Sequence, residues 1–331
     1  MKVLVAGGAG FIGSTIASAC SDAGITPVVL DNLKTGRREF AVGHAFYEGG
    51  IEDDVLIDRI FDEHPDIFAT VLCAALINVP DSVVDPVSYY TDNVAFSLRF
   101  VSSLVRRGCT RLIFSSSAAI YDVSSTMVVD ETTALAPQSP YARTKAVCES
   151  MFADIAHATS LRVLSLRYFN PIGADPQMRS GLQLTRPTHA LGQMILARES
   201  GVPFSVTGTD YDTRDGTGIR DYVHVWDLAL AHVAALERFD ALFTGDAAYD
   251  AINLGTGTGT TVRELLSAFE DVTSRRLDFV EVARRPGDVV GASAGNEKAR
   301  RLLGWVPTRG LREGVADSLR WAQLRDTVLG E

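Results

Sequence analysis

The chain has 331 residues, 46% hydrophobic and 22% charged, a balance typical of a soluble globular protein with one large domain or two closely joined ones. The formal net charge of -10 argues against a nucleic-acid partner, because phosphate neutralisation requires clustered Lys and Arg. No apolar run approaches the ~20 residues that cross a bilayer, and Met1-Lys2 leads directly into a strand, so neither a membrane segment nor a signal peptide is expected.

The four cysteines lie in no CxxC or histidine-rich cluster. We therefore expect free buried thiols, no metal site and a cytoplasmic protein. His189, His224 and His232 have no carboxylate clustered beside them in the sequence. We therefore expect these histidines to be structural and not metal ligands. Trp226 and Phe239 lie on the apolar face of a predicted helix and are expected in the core.

The first predicted strand, residues 2–6, ends in the turn Gly7-Gly-Ala-Gly10-Phe-Ile-Gly13, and a helix follows over residues 11–23. Strand, glycine turn and helix in this order are typical of a dinucleotide-binding βαβ unit. Gly7 permits the tight turn, Gly10 lets the backbone approach a pyrophosphate, and Gly13 allows close packing of helix on strand. The N–H groups at the helix start would then face the phosphates.

The second predicted strand, residues 27–30, is followed by Asp31, where an acidic residue accepts hydrogen bonds from the adenosine ribose hydroxyls. A 2′-phosphate would meet like charge at this position, so NAD is preferred over NADP. Lys34, Arg37 and Arg38 follow closely and argue the other way, unless they form a solvated loop.

Strands and helices continue to alternate up to residue 167. The further strands are predicted at 45–47, 69–73, 111–114 and 161–166, and the helices at 53–61, 86–107 and 141–158. This alternation predicts an α/β fold with a Rossmann-type, doubly wound parallel sheet.

The alternation stops after Arg167, and a second, smaller α/β domain is expected in the C-terminal part. Strands are predicted at 204–206 and 251–253, and helices at 189–199, 225–239, from 261, at 296–303 and at 310–324. Thr261 with Glu264 fits a capping box. We expect a dinucleotide-binding domain over 1–167, to which 222–254 returns, and a second domain over 168–221 and 255–331.

Tyr141 and Lys145 lie four residues apart on a helix that begins near Pro140, so they share a face. A cation beside a phenol lowers the phenol pKa, which makes Tyr141 a candidate base near neutral pH. A YxxxK pair also occurs by chance on surface helices. Here, however, Asp31, Ala74, Ser117 and residues 167–170 also lie at carboxyl ends of predicted strands, where ligands bind in parallel sheets.

These residues carry a resemblance that runs nearly end to end. The chain resembles the extended short-chain dehydrogenases/reductases and, among them, the UDP-glucose (UDP-galactose) 4-epimerases. The matching segments are residues 7–13, Asp31-Asn-Leu33, Ser115-Ser-Ser-Ala118, Ser139-Pro-Tyr-Ala-Arg-Thr-Lys145, Arg167-Tyr-Phe-Asn-Pro171, Asp215-Gly-Thr-Gly-Ile-Arg-Asp-Tyr-Val-His-Val225 and Arg284-Arg-Pro-Gly-Asp288.

The resemblance implies NAD-dependent epimerisation of a UDP-hexose through a transient 4-ketose. It implies that Tyr141 removes the C4 hydroxyl proton, that Lys145 lowers the Tyr141 pKa and binds the nicotinamide ribose, and that Ser117 orients the reacting oxygen. The implied NAD positions are Gly7, Gly10, Phe11, Ile12, Gly13, Asp31, Asn32, Gly50, Ile51, Cys73, Ala74, Ala75, Asn93, Tyr141, Lys145 and Tyr168. The implied UDP-sugar positions are Ser117, Tyr141, Asn170, Arg186, Val206, Arg220, Arg285, Asp288 and Ala292.

Members of this family pair helices equivalent to 87–107 and 141–158 across a dimer axis, so a homodimer is expected, with packing inside the monomer as the alternative.

The chain departs from the family pattern at several positions. Gly50 replaces an Asp that contacts adenine, and Ile77 replaces a Lys near the nicotinamide ribose. Arg186 aligns with an Asn that contacts substrate and could pair with a C6 carboxylate, while Ala292 aligns with a Tyr and leaves room for a larger C2 substituent. UDP-GlcNAc, UDP-GalNAc or a UDP-uronate therefore stay open as substrates.

The sequence argues against two other functions. A nucleotide-sugar 4,6-dehydratase needs an acidic pair after the Ser, and Ser117-Ala118-Ala119-Ile120 contains no carboxylate. A non-catalytic NAD-binding protein of the same fold tends to lose the Tyr or the Lys, and this chain retains both.

Overall fold

The computed structural model describes residues 1–122, 127–284 and 290–330. The strands are β1 Lys2–Ala6, β2 Thr26–Asp31, β3 Ala45–Glu48, β4 Ile67–Leu72, β5 Arg111–Ser117, β6 Val128–Val129, β7 Arg162–Tyr168, β8 Asn170–Ile172, β9 Phe204–Thr207, β10 Ile219–Arg220, β11 Tyr222–His224, β12 Tyr249–Leu254, β13 Thr260–Thr261, β14 Phe279–Val282 and β15 Ser293–Ala294. The helices are α1 Phe11–Asp22, α2 Asp54–Glu63, α3 Val79–Val84, α4 Pro86–Tyr90, α5 Phe96–Arg106, α6 Pro140–Ala158, α7 Ala190–Ser200, α8 Val225–Leu242, α9 Val262–Thr273, α10 Glu297–Leu303 and α11 Leu311–Leu329.

A seven-stranded parallel sheet in the order β12-β7-β5-β4-β1-β2-β3 forms the centre of the molecule. Side chains alternate between its two faces. Val3 and Val5 of β1 belong to a core that includes α8, while Leu4 and Ala6 belong to a core that includes α2, α5 and α6. Both faces are covered, which is why β1 is apolar at four consecutive positions, Val3 to Ala6. The predicted doubly wound parallel sheet is confirmed.

A third hydrophobic core lies outside the central sheet. It gathers Leu191 of α7, Phe204 of β9, Leu265 of α9 and Leu319 of α11. Two parallel strand pairs, β8 with β11 and β9 with β14, accompany it. By contrast, α10 packs on the first core with α8 and β12, although the predicted division assigned its residues to the second domain.

The helix predicted over 86–107 runs from 86 to 106, but it is not α-helical throughout. A π-helical turn, Thr91–Ala95, separates α4 from α5. The buried Asn93 in this turn accepts a hydrogen bond from Leu76 N (2.7 Å) and donates to Thr144 Oγ1 (3.0 Å), contacts that a periodicity argument cannot foresee. The short helix α3 was not predicted, because it is only six residues long and its valines are exposed and bury no apolar face.

The histidines have the structural roles that were expected. His189 and His224 cap α7 and α8 through hydrogen bonds from Gly192 N and Trp226 N. His232 is fully buried, and burial lowers its pKa to about 4. The capping box at Thr261 is confirmed, as is the core location of Trp226 and Phe239.

All four cysteines are free; three are buried and Cys73 is half-buried. Within the described ranges no helix combines the length and the apolar character needed to cross a membrane.

Candidate active site

The glycine turn lies between the ends of β1 and β4. Gly7 has φ +81, and a Cβ there would lie 2.5 Å from Ala74 N, so any side chain would collide with the segment that follows β4. A Cβ on Gly13 would lie 2.2 Å from Gly7 O. At Gly10, by contrast, a Cβ would meet Gly7 O only at 3.5 Å, which leaves open space above the turn. Neither a side-chain cap nor an acidic residue occupies the start of α1, so its first N–H groups are available to an anion.

Asp31 is buried at the end of β2, 8% exposed. Its carboxylate accepts hydrogen bonds from Ala9 N (3.0 Å) and Leu33 N (2.8 Å), which ties β2 to the glycine turn. Burial raises the Asp31 pKa, and the two backbone N–H groups oppose this rise. Each carboxylate oxygen retains a lone pair that can accept a hydrogen bond from a ribose hydroxyl.

The other predicted cofactor positions differ in exposure. Asn32 is exposed, whereas Phe11, Ile12, Gly50, Cys73, Ala74 and Ala75 are half-buried. Ile51 packs in the core. The Asn93 amide is bound to Leu76 and Thr144, so it holds the chain after Ala75 in place. These positions therefore gather along one edge of the sheet, with Ile51 and Asn93 behind it.

Ser117 and Tyr141 meet where β5 ends and α6 begins, and Lys145 lies one turn further along α6. Ser139 caps α6 by accepting a hydrogen bond from Ala142 N (3.2 Å). Burial raises the Tyr141 pKa, and a hydrogen bond with the Ser117 side chain lowers it. The buried Lys145 Nζ donates to Ser115 O (2.8 Å) and lies 4.8 Å from the Phe114 ring centroid.

The Tyr141 pKa is raised in this structure, whereas a net lowering was expected from the nearby Lys145. Burial dominates the Tyr141 pKa, and the opposing contribution comes from Ser117. Burial likewise lowers the Lys145 pKa, against the attraction of Cys148, Cys73 and Glu149. Burial therefore favours the neutral phenol over the phenolate at Tyr141.

Tyr168 ends β7, but its side chain is buried in the core. Its hydroxyl lies 2.9 Å from Ser115 Oγ and bonds His232 Nε2. Ser115 Oγ also lies 3.0 Å from Cys73 Sγ. Sequence reasoning missed the role of Ser115 and His232, because their link crosses from β5 to α8 and leaves no local pattern.

The predicted substrate positions separate into three groups. Asn170 opens β8 and is half-buried, and Arg220 of β10 donates to Val290 O (3.1 Å). Ala292 packs beside Tyr121 and Phe169. Arg186 is exposed.

Val206, a predicted substrate position, lies on β9. Its side chain is fully buried in the third core, so a contact with a ligand would use its backbone. Arg285 and Asp288 lie outside the described residues.

Asp221 is a buried carboxylate that sequence reasoning missed. It accepts hydrogen bonds from Thr256 Oγ1 (2.6 Å), Thr256 N (2.8 Å), Gly257 N (2.9 Å) and Ala294 N (3.0 Å). Burial raises its pKa against these bonds. It thereby joins the chain at Arg220 to the loop after β12 and to β15, near Ala292. Across the described part of the chain, no three His, Cys, Asp or Glu side chains gather as a metal site.

Comparison with known proteins places this geometry. A model of the NAD dependent epimerase/dehydratase family matches residues 3–255. The chain belongs to this family. Within the family it groups with the UDP-glucose 4-epimerases, and it is 44% identical over 322 residues to the one from Rhizobium leguminosarum bv. trifolii, covering 96% of both chains.

Solved structures agree with this family membership. The UDP-glucose 4-epimerase from Stenotrophomonas maltophila, solved with NAD and formylated UDP-arabinopyranose, has a TM-score of 0.92 at 34% identity, with 99% of each chain covered. The UDP-Glc/GlcNAc 4-epimerase from Campylobacter jejuni has a TM-score of 0.81 at 31% identity, covering 97% of this chain and 99% of that one.

The residues of this family member fit an NAD molecule. The space above Gly10 and the uncapped start of α1 suit a pyrophosphate. Asp31 suits a ribose with free hydroxyls, because a phosphate there would face its carboxylate. Ser117 and Tyr141 lie at the same edge of the sheet, at the end of β5 and the start of α6.

Proposed function

We propose that this protein interconverts the C4 epimers of a UDP-hexose of the UDP-glucose/UDP-galactose type, with NAD, through a transient 4-keto intermediate. The observation that carries the proposal is the contact between the Ser117 and Tyr141 side chains, one helical turn from the buried Lys145. This is an arrangement for moving a proton at one carbinol. The 4-epimerase relatives support the same chemistry.

Tyr141 is the group that takes the C4 hydroxyl proton and later returns it. It must first lose its own proton, and its raised pKa opposes this. The Ser117 hydroxyl stabilises the phenolate by hydrogen bonding, and the Lys145 cation on the same helical face favours it electrostatically. When bound, the nicotinamide supplies reversible oxidation at C4.

The UDP group is assigned to the second domain, which we propose spans residues 168–221 and 255–331. Arg220 of β10 pairs with Thr260 of β13, and Asn170 of β8 pairs with Tyr222 of β11. An Arg fork suits pyrophosphate oxygens, and Arg285 and Asp288 complete the proposed UDP site. The dinucleotide is assigned to residues 1–167 together with 222–254.

Substrate choice is assigned to Ala292 and Arg186. The small Ala292 side chain beside Phe169 suits a larger C2 substituent, as in UDP-GlcNAc, and Arg186 suits a C6 carboxylate, as in UDP-glucuronate. The Campylobacter jejuni relative is named for both UDP-Glc and UDP-GlcNAc. These sugars are the alternatives to the plain hexose.

The proposal is tested by following UDP-glucose, UDP-GlcNAc and UDP-glucuronate by NMR with the purified protein. The wild type should epimerise at least one of them, and Tyr141→Phe should lose ~10²–10⁴ in rate, the usual size of a general-base contribution. Tyr90→Phe, at a half-exposed position, is the matched control and should retain activity. Equal rates for the wild type and Tyr141→Phe would contradict the proposed mechanism.

We also propose a homodimer that uses the helices around the π-turn and α6. Exposed apolar side chains cluster there, including Val84 (85% exposed), Val87 (74%) and Leu98 (45%). A cytoplasmic location is proposed on the four free cysteines.

A further inference from the structure

Residues 32–41, which we call the strap, fold back over Asp31. A Cβ on Gly36 would lie 2.6 Å from Asp31 Oδ1, so this part of the strap lies directly against the carboxylate. Arg37 N donates to Ala9 O (2.9 Å), which joins the middle of the strap to the glycine turn. The predicted ribose-binding carboxylate and the glycine turn are therefore covered by one short segment.

Residues from the second domain fasten the strap from outside. Gln183 Nε2 donates to Thr35 O (2.8 Å). Phe40 packs on Trp321 of α11, with ring centroids 5.7 Å apart, and both side chains are almost fully buried. Trp321 is itself held by a hydrogen bond from its Nε1 to Leu182 O (2.8 Å). None of these residues belongs to the predicted cofactor positions.

The Gln183 side chain has a second notable feature. It is 7% exposed, and its Oε1 has no hydrogen-bond partner within the residues that the structure describes. A buried acceptor without a donor costs about 1–3 kcal/mol, so it marks a place where a missing donor would be stabilised. A ribose hydroxyl or an adenine amino group is a donor of the required kind.

We propose that Gln183 and Trp321 fasten the strap over the adenosine end of NAD and thereby set how slowly the dinucleotide leaves the protein. The inference rests on the proposed use of NAD. The smaller domain then has two tasks: it binds the sugar nucleotide and it retains the cofactor. The strap must open at Thr35 and Phe40 before the adenosine can pass.

The experiment measures release of NAD directly. The full-length protein is loaded with NAD labelled in the adenine ring, freed of excess label and chased with unlabelled NAD. Gln183→Leu and Trp321→Phe are compared with two matched controls, Gln193→Leu and Trp305→Phe. Gln193 and Trp305 also donate to backbone carbonyls, of Pro187 and Asp227, but they do not contact the strap.

Gln183→Leu should release label about tenfold faster than the wild type, the effect of losing one buried hydrogen bond. Trp321→Phe keeps an aromatic ring and should accelerate release in the same direction, while both controls retain the wild-type rate. Melting temperatures verify that each variant is folded, and Trp321→Phe carries the test if Gln183→Leu does not fold.

Wild-type rates of NAD release in both Gln183→Leu and Trp321→Phe would overturn the inference. Equal acceleration of release in the two controls would also overturn it. Turnover of UDP-glucose at saturating NAD separates this result from the proposed function. Retained label without turnover overturns the function alone, and a wild type that takes up no NAD overturns both.

Discussion

Replacing Glu149 by Gln should destabilise the protein strongly, because it breaks a buried ion pair under the active site. Glu149 lies one turn after Lys145 on α6. Its two oxygens accept hydrogen bonds from Arg167 Nε (3.0 Å) and from an Arg167 terminal nitrogen (2.6 Å). The side chains are only 5% and 7% exposed. Tyr249 donates a further hydrogen bond to the same carboxylate (3.0 Å), and Arg167 donates to Tyr121 (2.7 Å).

The expected loss follows from what remains after the substitution. Glu149→Gln leaves the Arg167 cation buried with no counter-charge in contact, and such an uncompensated charge costs about 3–5 kcal/mol of unfolding free energy. Replacing both residues by Leu removes the stranded charge, so the double variant should be more stable than the sum of the single losses indicates.

Urea denaturation followed by circular dichroism gives these free energies. The control is Arg99→Gln, which breaks an exposed ion pair with Asp54 (2.9 Å) and should have a much smaller effect. A loss below about 1 kcal/mol for Glu149→Gln, the size of an ordinary neutral hydrogen bond, would refute the reasoning.

Two further predictions concern acid stability and assembly. Burial lowers the His232 pKa to about 4 from the ordinary 6.5, so the unfolded chain binds more protons between these values, and stability should fall by about 2 kcal/mol from pH 7 to pH 5 through this group. In urea titrations at pH 7 and pH 5, His232→Gln should lose this pH dependence of stability, whereas the exposed His157→Gln should retain it. Identical pH dependence in the two variants would contradict the assignment. Val84→Asp should convert the proposed dimer to monomer in sedimentation, whereas Val55→Asp, equally exposed on α2, should not. A monomeric wild type would contradict the dimer.

The central sheet was predictable because its signals are local. The apolar strand β1, its glycine turn and Asp31 lie within one continuous segment. The order of strand, glycine turn and helix, followed by an acidic residue, can therefore be recognised in the sequence itself. The small strands were not predictable. The pair β8 and β11 is three residues long on each side and joins Asn170 to Tyr222, so its stability comes from a distant partner. No periodicity develops over three residues.

The active site divides in the same way. Tyr141 and Ser117 were found because helix geometry and strand ends place them, and the structure brings them into contact. The Tyr141 pKa could not be inferred from Lys145, because burial outweighs the neighbouring charge. Asp221 and Gln183 were missed because their partners lie tens of residues away in sequence, and an isolated Asp or Gln has no pattern of its own.

The π-turn at Thr91–Ala95 does not tolerate the gain or loss of even one residue in this segment. Such a turn holds one more residue than the α-helical turn it replaces. Deleting one residue there would give a better regular helix, but it would rotate everything beyond the deletion by about 100° around the axis. The Asn93 amide could then no longer reach Leu76 and Thr144 together. Insertions and deletions in this segment should therefore be far less tolerated than substitutions, although much of its surface faces solvent.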